Sequence, residues 1–305
     1  MRTILLGPQR RPTLEGVARS LGLAGPAATI TAGWQEREPD DAELTALLSA
    51  GGGAVNLGLY RRWLDVQDRD PEYFAGEREL AAVLAELQDL YLLRLDYALR
   101  AVYAVQRRAG QAGAAAVEDA VAAVRELDAA HLRRVNGARG EFFQRLSPHD
   151  RPVIAGHRAE VLAVLADAAA LVIAGGHVGV LAEVLHLFNI AAALRSAPVI
   201  AWSAGAMALA DRIVLFHDRS PRGPGHAEVY GGGLSLLRDV VLLPHARARL
   251  LLDDTPRMAV FARRFAPARC VLLETGTRIE VPDGGWPPGT RVLGEDGHVT
   301  AREAA

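Results

Sequence analysis

Ser196-Ala-Pro-Val-Ile-Ala-Trp-Ser-Ala-Gly-Ala-Met-Ala-Leu-Ala-Asp-Arg212 is the stretch that decides the fold. Its apolar run at 199–202 follows Pro198 and is typical of a buried parallel strand. Ser203 comes next, and the small residues after it favour a helix. A strand, a serine, small residues and a helix, in this order, predict a nucleophile elbow, in which a sharp backbone turn exposes the serine hydroxyl. The alternative is a packing turn with an incidental serine.

The elbow differs from the G-x-S-x-G pattern only in having Ala201 at the first small position. Small neighbours let the backbone turn sharply beside the serine. The start of the following helix would direct unpaired N–H groups at an anion that forms there.

The composition of the chain indicates a globular α/β protein. It has 305 residues, of which 50% are hydrophobic and 23% charged, with a net charge of −2. This suits one large domain, or one domain with a sizeable insertion. The near-neutral charge gives no electrostatic basis for binding nucleic acid or a membrane. No run approaches the roughly 18 apolar residues of a membrane span, and residues 1–7 resemble a strand rather than a signal peptide. We therefore expect a cytoplasmic protein.

Cysteine and lysine usage narrows the chemistry. Cys270 is the single cysteine, which excludes an intramolecular disulfide and a thiolate zinc cluster. All 34 basic residues are arginine. Schiff-base chemistry, pyridoxal phosphate attachment and a P-loop lysine are therefore excluded. We predict no cofactor.

Apolar strands alternate with short helices over most of the chain, which predicts a mostly parallel sheet with helices on both faces. We assign residues 1–60 and 148–305 to this core domain. The predicted strands are 3–6, 27–32, 53–59, 152–156, 170–174, 199–202, 212–216, 240–243 and 291–293, with a late hairpin of strands at 269–273 and 277–281. The predicted helices of the core are 13–21, 40–48, 157–170, 178–194 and 247–264.

Residues 61–147 interrupt this alternation with a long αα-hairpin. Apolar residues recur in steps of three and four from Leu80 to Val105, and again from Val117 to Val135. Gly110 and Gly113 separate the two helices, and Asn136-Gly137 is expected to stop the second. The hairpin is either a solvated element with one packed face or a lid, substrate selector or dimer contact. Its candidate site residues, if it reaches the site, are His131, Arg133, Arg134 and Arg139.

A serine nucleophile needs a base within hydrogen-bond reach. His245 directly follows the apolar strand at 240–243, whereas other histidines lie in polar turns or inside an apolar helix. Side chains just past the carboxyl ends of parallel strands gather at one edge of a sheet. Because Ser203 also follows a strand, we expect the two to meet there. The backbone N–H groups of Ala204 and of Gly175-Gly176 are the candidate oxyanion hole.

Four motifs occur together in order: Ile173-Ala-Gly-Gly176, Trp202-Ser-Ala-Gly-Ala206, Gly232-Gly-Leu-Ser-Leu-Leu237 and Leu243-Pro-His245. They resemble peptidase family S51, the aspartyl dipeptidase and cyanophycinase group of the class I glutamine amidotransferase-like superfamily. The resemblance covers residues 150–281 well, the first 60 loosely and the hairpin not at all. It implies a flavodoxin-like three-layer sandwich and a Ser-His-Glu arrangement. By this match Ser203 is the nucleophile and His245 the base.

Two departures from the family pattern concern the acid and the glycine pair. The acid of the family usually precedes a Gly-Thr or Gly-Ser pair, where this chain has Thr275. Glu274 lies one residue earlier, and one residue reverses the facing of a side chain on a strand. Glu274 is the candidate third member, and Asp253 and Asp254 are alternatives. His177 follows Gly176, where it could contact substrate or cap a helix.

Two other chemistries are disfavoured. Glutamine amidotransferases need a cysteine nucleophile, but position 203 is serine and Cys270 lies in an apolar strand-like run. A metal site formed by His217, Asp218 and His226 would have no recognised ligand spacing. We predict no metal.

The sequence thus predicts a serine hydrolase that cleaves a peptide or amide bond through an acyl-enzyme. The resemblance implies acidic or β-aspartyl peptide substrates, and His177, Trp202 and Arg139 are the tentative substrate-binding residues. The expected partner is a small peptide or amide, with a homodimer as an open possibility. The alternative is a binding or scaffold protein that keeps the elbow but has lost turnover and uses its hairpin for oligomerisation or a partner.

Overall fold

The computed structural model describes residues 2–9, 12–108, 110, 113–194, 197–219, 225–282 and 285–301. Its strands, numbered along the chain, are β1 (Thr3–Leu6), β2 (Ala27–Ile30), β3 (Ala54–Asn56), β4 (Ala170–Ile173), β5 (Val199–Trp202), β6 (Ile213–Leu215), β7 (Glu228–Gly231), β8 (Val240–Pro244), β9 (Arg269–Leu273), β10 (Arg278–Val281), β11 (Arg291–Leu293) and β12 (Val299–Ala301).

The α-helices are α1 (Leu14–Leu21), α2 (Ala42–Leu48), α3 (Leu59–Arg69), α4 (Pro71–Arg108), α5 (Ala114–Leu146), α6 (Pro152–Asp167), α7 (Val178–Leu187), α8 (Ile190–Ala193), α9 (Ala204–Leu209), α10 (Ala246–Arg249) and α11 (Thr255–Phe265). Short 3-10 helices span Ala32–Arg37 and Ser49–Gly51.

The main sheet has six strands in the order β10-β1-β5-β4-β2-β3. Neighbouring strands are parallel except for β10, which pairs antiparallel with β1. The predicted α/β class with a mostly parallel sheet is confirmed. Strand β5, which leads to Ser203, lies between β1 and β4.

Both faces of the four central strands, β1, β5, β4 and β2, are buried, which explains why these strands are mostly apolar. Ile200 and Trp202 on one face share a core cluster with buried side chains of α1 and α2. Val199 and Ala201 on the other face pack with α7 and α9. The alternation along β5 therefore joins two separate cores across one strand.

A second sheet has the order β12-β11-β9-β8, and β6 pairs with β7. The predicted hairpin of strands at 269–273 and 277–281 is wrong, because β9 pairs with β8 and β11 whereas β10 pairs with β1. The strand before His245 therefore belongs to a different sheet from the strand before Ser203. The prediction that Ser203 and His245 lie at the edge of one common sheet is therefore also wrong.

The predicted strand at 152–156 is wrong, because these residues form the first turns of α6. Pro152 occupies the first helical position after Arg151, where its fixed φ suits a helix and its missing N–H costs nothing. The apolar composition of 152–155 fits a strand and a buried helix equally, so periodicity over so short a run could not decide.

Helix ends were also predicted imperfectly. Asn136-Gly137 does not stop the hairpin, since α5 continues to Leu146 and ends at Ser147, whose φ is 41°. The helix predicted at 178–194 is divided at Asn189, whose φ is 51°. That at 247–264 is divided into α10 and α11, and the Asp254 side chain caps α11 by accepting from Arg257 N–H at 3.1 Å. Local side-chain bonds and left-handed residues set these boundaries.

The predicted αα-hairpin is confirmed as α4 and α5, which pack along their length. Their buried apolar residues face each other and a core cluster that also contains β8, β9 and α11. Among the described helices, α4 and α5 included, none combines the length and hydrophobicity needed to cross a bilayer.

A buried ion pair fastens the hairpin to the core. Arg264 of α11 is 4% exposed, and its Nε and Nη2 donate to the two carboxylate oxygens of Asp128 on α5 at 2.7 and 2.8 Å. Nη1 donates to Ala227 O at 2.7 Å, and Nη2 donates to the Tyr91 hydroxyl on α4 at 3.0 Å. Tyr91 in turn donates to Asp128 at 2.8 Å and accepts from Val229 N–H at 3.0 Å. These bonds join α4, α5, α11 and β7.

We expect Arg264→Met to lower the free energy of unfolding by about 3–5 kcal/mol, because it leaves the Asp128 carboxylate buried without a cation. Arg263→Met is the matched control, since the Arg263–Glu118 pair is partly exposed and contributes under about 1 kcal/mol. Urea unfolding of both variants measures the difference. Equal losses in the two variants would contradict the anchoring role.

Candidate active site

Ser203 has the backbone of a nucleophile elbow. It links the end of β5 to the start of α9, with φ 51° and ψ −124°. A positive φ with extended ψ is a strained conformation for any residue with a Cβ atom. The side chain does not cap α9 and is partly exposed, so its hydroxyl is open to a reactant.

Two glycines make room for this turn. A Cβ atom on Gly205 would lie 2.4 Å from Ile173 O and 2.5 Å from Ala174 O, so α9 begins in direct backbone contact with the end of β4. A Cβ atom on Gly175 would lie 2.8 Å from Ser203 Cβ. Larger residues at either position would push the serine out of its place.

The glycine pair follows β4, and Gly175 lies beside Ser203. Ala174 N–H bonds Ile30 O at 2.9 Å and His177 N–H bonds Gly33 O at 2.7 Å. Within the described residues, the N–H groups between them, of Gly175 and Gly176, donate no backbone hydrogen bond. Gly176 has φ 126°, and a Cβ atom there would lie 2.3 Å from Gly33 O. Ala204, the first residue of α9, has no acceptor for its N–H within the helix. The N–H groups of Gly175, Gly176 and Ala204 thus remain candidates for the oxyanion hole.

His245 follows β8 in the left-handed region, with φ 57° and ψ 34°. Its N–H donates to Leu273 O at 3.1 Å, which continues the parallel pairing of β8 with β9. Although β8 lies outside the main sheet, it packs against α9, the helix that Ser203 begins. The elbow and the candidate base are therefore connected through α9.

Glu274 follows Leu273, the last residue of β9. Leu273 pairs with Pro244 of β8, which His245 follows. Its carboxylate accepts from Arg247 N–H at 2.8 Å and so holds the short helix that starts after His245. Asp254 caps α11, and Asp253 is exposed. Glu274 is therefore bound to the backbone that directly follows His245.

The predicted substrate-binding residues separate into three places. His177 caps α7, with Nδ1 accepting from Val180 N–H at 3.2 Å, and its ring is exposed beside Gly176. Trp202 lines a cavity of about 340 Å³. Arg139 donates to Glu183 at 2.6 Å in a different cleft.

The cavity at Trp202 contains residues that the sequence analysis missed. Trp34 and Arg37 line it from the 3-10 helix after β2, and Gln9 lines it from the loop after β1. Gln35, between the first two, has φ 56° and ψ −124°, nearly the backbone of Ser203. Strained residues after two strands of the same sheet are typical of functional edges. No local sequence motif includes these residues. The one signal in the sequence is that they follow the carboxyl ends of predicted strands, where sites form in parallel sheets.

Cys270 and the possible metal ligands have structural roles. Cys270 is buried in β9, where burial raises the pKa of its thiol to about 12 and keeps it protonated. Asp218, one of the three residues considered for a metal, pairs with Arg257 through both carboxylate oxygens. Among the described residues, no group of His, Cys, Asp and Glu side chains could hold a metal ion.

Comparison with protein-family models and with curated protein sequences finds no match for this chain. The resemblance to peptidase family S51 therefore depends on the four motifs and on the geometry around Ser203.

We expect Gly205→Ala to lower the free energy of unfolding by about 1–3 kcal/mol, because its methyl group would overlap two carbonyl oxygens of the β4 end. Gly137→Ala is the control, since that exposed position in α5 has no atom near its Cβ and should gain about 1 kcal/mol from helix propensity. Thermal unfolding of both variants tests this. A stable Gly205→Ala variant would show that the backbone contact does not constrain the elbow.

Proposed function

We propose that this protein is a serine hydrolase of the S51 type, with a flavodoxin-like core, that cleaves a peptide or amide bond through an acyl-enzyme. The observation that carries the proposal is the backbone of Ser203, with φ 51° and ψ −124° at a strand-to-helix junction. Such strain persists only where surrounding contacts maintain it. Here Gly175 and Gly205 leave space for it, and its effect is to expose the hydroxyl.

The proposed reaction begins when Ser203 Oγ attacks the substrate carbonyl carbon while His245 takes the hydroxyl proton. The N–H groups of Ala204 and of Gly175 or Gly176 stabilise the oxyanion that forms. The intermediate then collapses, the scissile C–N bond breaks, and His245 gives its proton to the leaving amine. Water, deprotonated by His245, next attacks the ester and releases the acid and Ser203.

The role proposed for Glu274 is to position His245. Its carboxylate binds Arg247 N–H, two residues after His245, and thereby sets the path of the backbone that carries the imidazole. Hydrogen bonds within a catalytic triad are often long in the free enzyme and shorten only when substrate binds. This makes Glu274 a positioning residue in the proposal.

The cavity at Trp202 is the proposed substrate pocket. Trp34 and Trp202 provide aromatic walls, and Arg37 lies at the cavity with only an exposed contact to Asp40 at 3.4 Å. A guanidinium can bind a carboxylate through two parallel hydrogen bonds. Asp40 and Glu43 also line the cavity, and Arg37 is the group proposed to bind the carboxylate of an acidic or β-aspartyl peptide, without a cofactor or metal.

Labelling by a fluorophosphonate probe tests the nucleophile. We expect the wild type to be labelled and Ser203→Ala to be unlabelled. Ser235→Ala is the matched control, because Ser235 is also exposed with φ 55° but does not join a strand to a helix. His245→Ala should slow labelling by about 100-fold or more, since the general base is lost. An unreactive wild type, or a Ser203→Ala variant that keeps the label, would overturn the proposal.

A second candidate function is a scaffold protein that self-associates through its hairpin and has no turnover. Large apolar side chains on α4 are exposed in heptad-like steps, at Val83 (47%), Leu90 (53%), Leu93 (57%) and Tyr97 (66%). Residues with this spacing lie on one face of a helix and are typical of helix–helix contacts. An unreactive wild type in the labelling experiment would favour this candidate.

We expect sedimentation equilibrium to detect a homodimer if this face of α4 is an interface, and Leu90→Glu to weaken association by about tenfold or more, because it places a charge in an apolar contact. Leu162→Glu is the control, since Leu162 is similarly exposed (48%) but lies on α6. A monomeric wild type, or equal effects of both variants, would contradict self-association through α4.

A further inference from the structure

A second cleft, of about 480 Å³, lies between the helical hairpin and the core. We call it the hairpin cleft. Six side chains from five different elements line it together: Trp63, Phe74, Glu77, Arg139, Glu183 and Tyr230. Its volume is within the range of small-molecule sites, and its exposed lining is mainly apolar.

Glu77 of α4 is a buried carboxyl group in this cleft, with 8% of its surface exposed. Its Oε1 accepts from the Trp63 indole N–H at 2.8 Å, and its Oε2 accepts from the Gln67 side-chain amide at 3.2 Å. Both donors are neutral, and no ion pair to Glu77 occurs among the described residues. An ionised carboxylate at such a site is costly unless a cation joins it.

Arg139 lines the buried side of the cleft, here called its inner wall, but it is not available as this cation. Arg139 is bound to Glu183 at 2.6 Å, with only 13% and 17% of the two side chains exposed. The other carboxylate oxygen of Glu183, Oε1, is buried without a hydrogen-bond partner in the described structure. Arg78 also lines the cleft but is exposed. The inner wall therefore has two carboxyl groups and one guanidinium.

Three aromatic side chains complete the chemistry. Trp63, Phe74 and Tyr230 line the cleft together with aliphatic residues of α4. Aromatic faces attract cations and also bind apolar groups. A carboxylate, aromatic rings and an apolar lining are the features that recognise an organic cation.

We propose that the hairpin cleft binds a small protonated amine with an apolar body, whose ammonium group is held by Glu77 and whose body lies against Trp63, Phe74 and Tyr230. The bound ammonium would supply the positive charge that the buried carboxylate lacks. This site does not depend on the serine chemistry, because Glu77 belongs to the hairpin and its role requires no hydrolysis.

Burial raises the pKa of the Glu77 carboxyl to about 7, and the nearby Glu183 carboxylate adds to the rise. Above that pKa the group is ionised, so amine binding should tighten from about pH 6 to about pH 8. The bound ammonium stays protonated over this range. The titratable and charged groups that also face Glu77 or line the cleft are Tyr73, Arg78, Arg139, Glu183 and Tyr230.

Isothermal titration calorimetry with 2-phenylethylamine tests the site in the full-length protein. The neutral analogue 2-phenylethanol has the same apolar body without the charge. We expect wild-type protein to bind the amine at least about tenfold more tightly than the alcohol, because a buried charge pair is lost with the alcohol. In Glu77→Gln the amine should lose this advantage while the alcohol binds as before.

Glu79→Gln is the matched control, since Glu79 lies on the same helix but pairs with Arg145 at the surface. It should leave amine binding unchanged. Ala81→Trp provides a second test that keeps Glu77, because the exposed Ala81 lines the cleft and a large side chain there would fill it. This variant should bind neither ligand, and its melting temperature shows whether it is folded.

Equal affinity of the wild type for the amine and the alcohol would overturn the proposal, as would an equal effect of Glu77→Gln and Glu79→Gln. No measurable amine binding by folded wild-type protein at about pH 8 would do so too, since Glu77 is ionised there. That result would leave the cleft as a structural gap without a ligand.

Discussion

The Arg264–Asp128 pair is the interaction on which the arrangement of the whole molecule depends. It is buried, bidentate and completed by the Tyr91 hydroxyl and Ala227 O, so every charged atom at its centre has a partner. Through it the long insertion is tied to α11 and to the strand β7. A solvated hairpin could take many orientations, but a buried ion pair has one geometry in which its charges are compensated. The position of the hairpin cleft follows from this orientation.

A second constraint acts at the carboxyl end of the main sheet, where the backbones of neighbouring segments are in direct contact. Gly33, Gly175, Gly176 and Gly205 each stand where a Cβ atom would overlap a neighbour. Their absent side chains allow the segments after β2 and β4 and the start of α9 to approach one another closely, with Gly175 directly beside Ser203. The same closeness holds the serine in its strained conformation, because the neighbouring loops leave it little room to relax. Strain and open donors are thus two results of one packing arrangement.

The two clefts differ in chemistry, and the difference bears on function. The cavity at Trp202 is lined by Arg37 together with Asp40 and Glu43, and Arg37 and Asp40 form an exposed ion pair there. The hairpin cleft instead has a buried carboxyl group, Glu77, whose hydrogen-bond donors are neutral, which suits a cation. Helix α7 connects the glycine pair beside the elbow to the hairpin cleft, since His177 caps it next to Gly176 and Glu183 lines that cleft. The insertion therefore adds a surface of its own rather than merely covering the core.

The sequence by itself determined the elements with strong local signals. These are the buried strands of the main sheet, the αα-hairpin and the elbow at Ser203, because apolar runs, long helical periodicity and a strand-serine-helix order are all local patterns. It could not determine that β8 leaves the main sheet, that 152–156 begin a helix, or that Arg139 pairs with Glu183 and Glu274 with Arg247. Those outcomes depend on which surfaces meet after the chain collapses. Strand pairing and ion pairs depend on packing and burial between segments that are far apart in the sequence. A short segment by itself does not specify which distant segment it will contact.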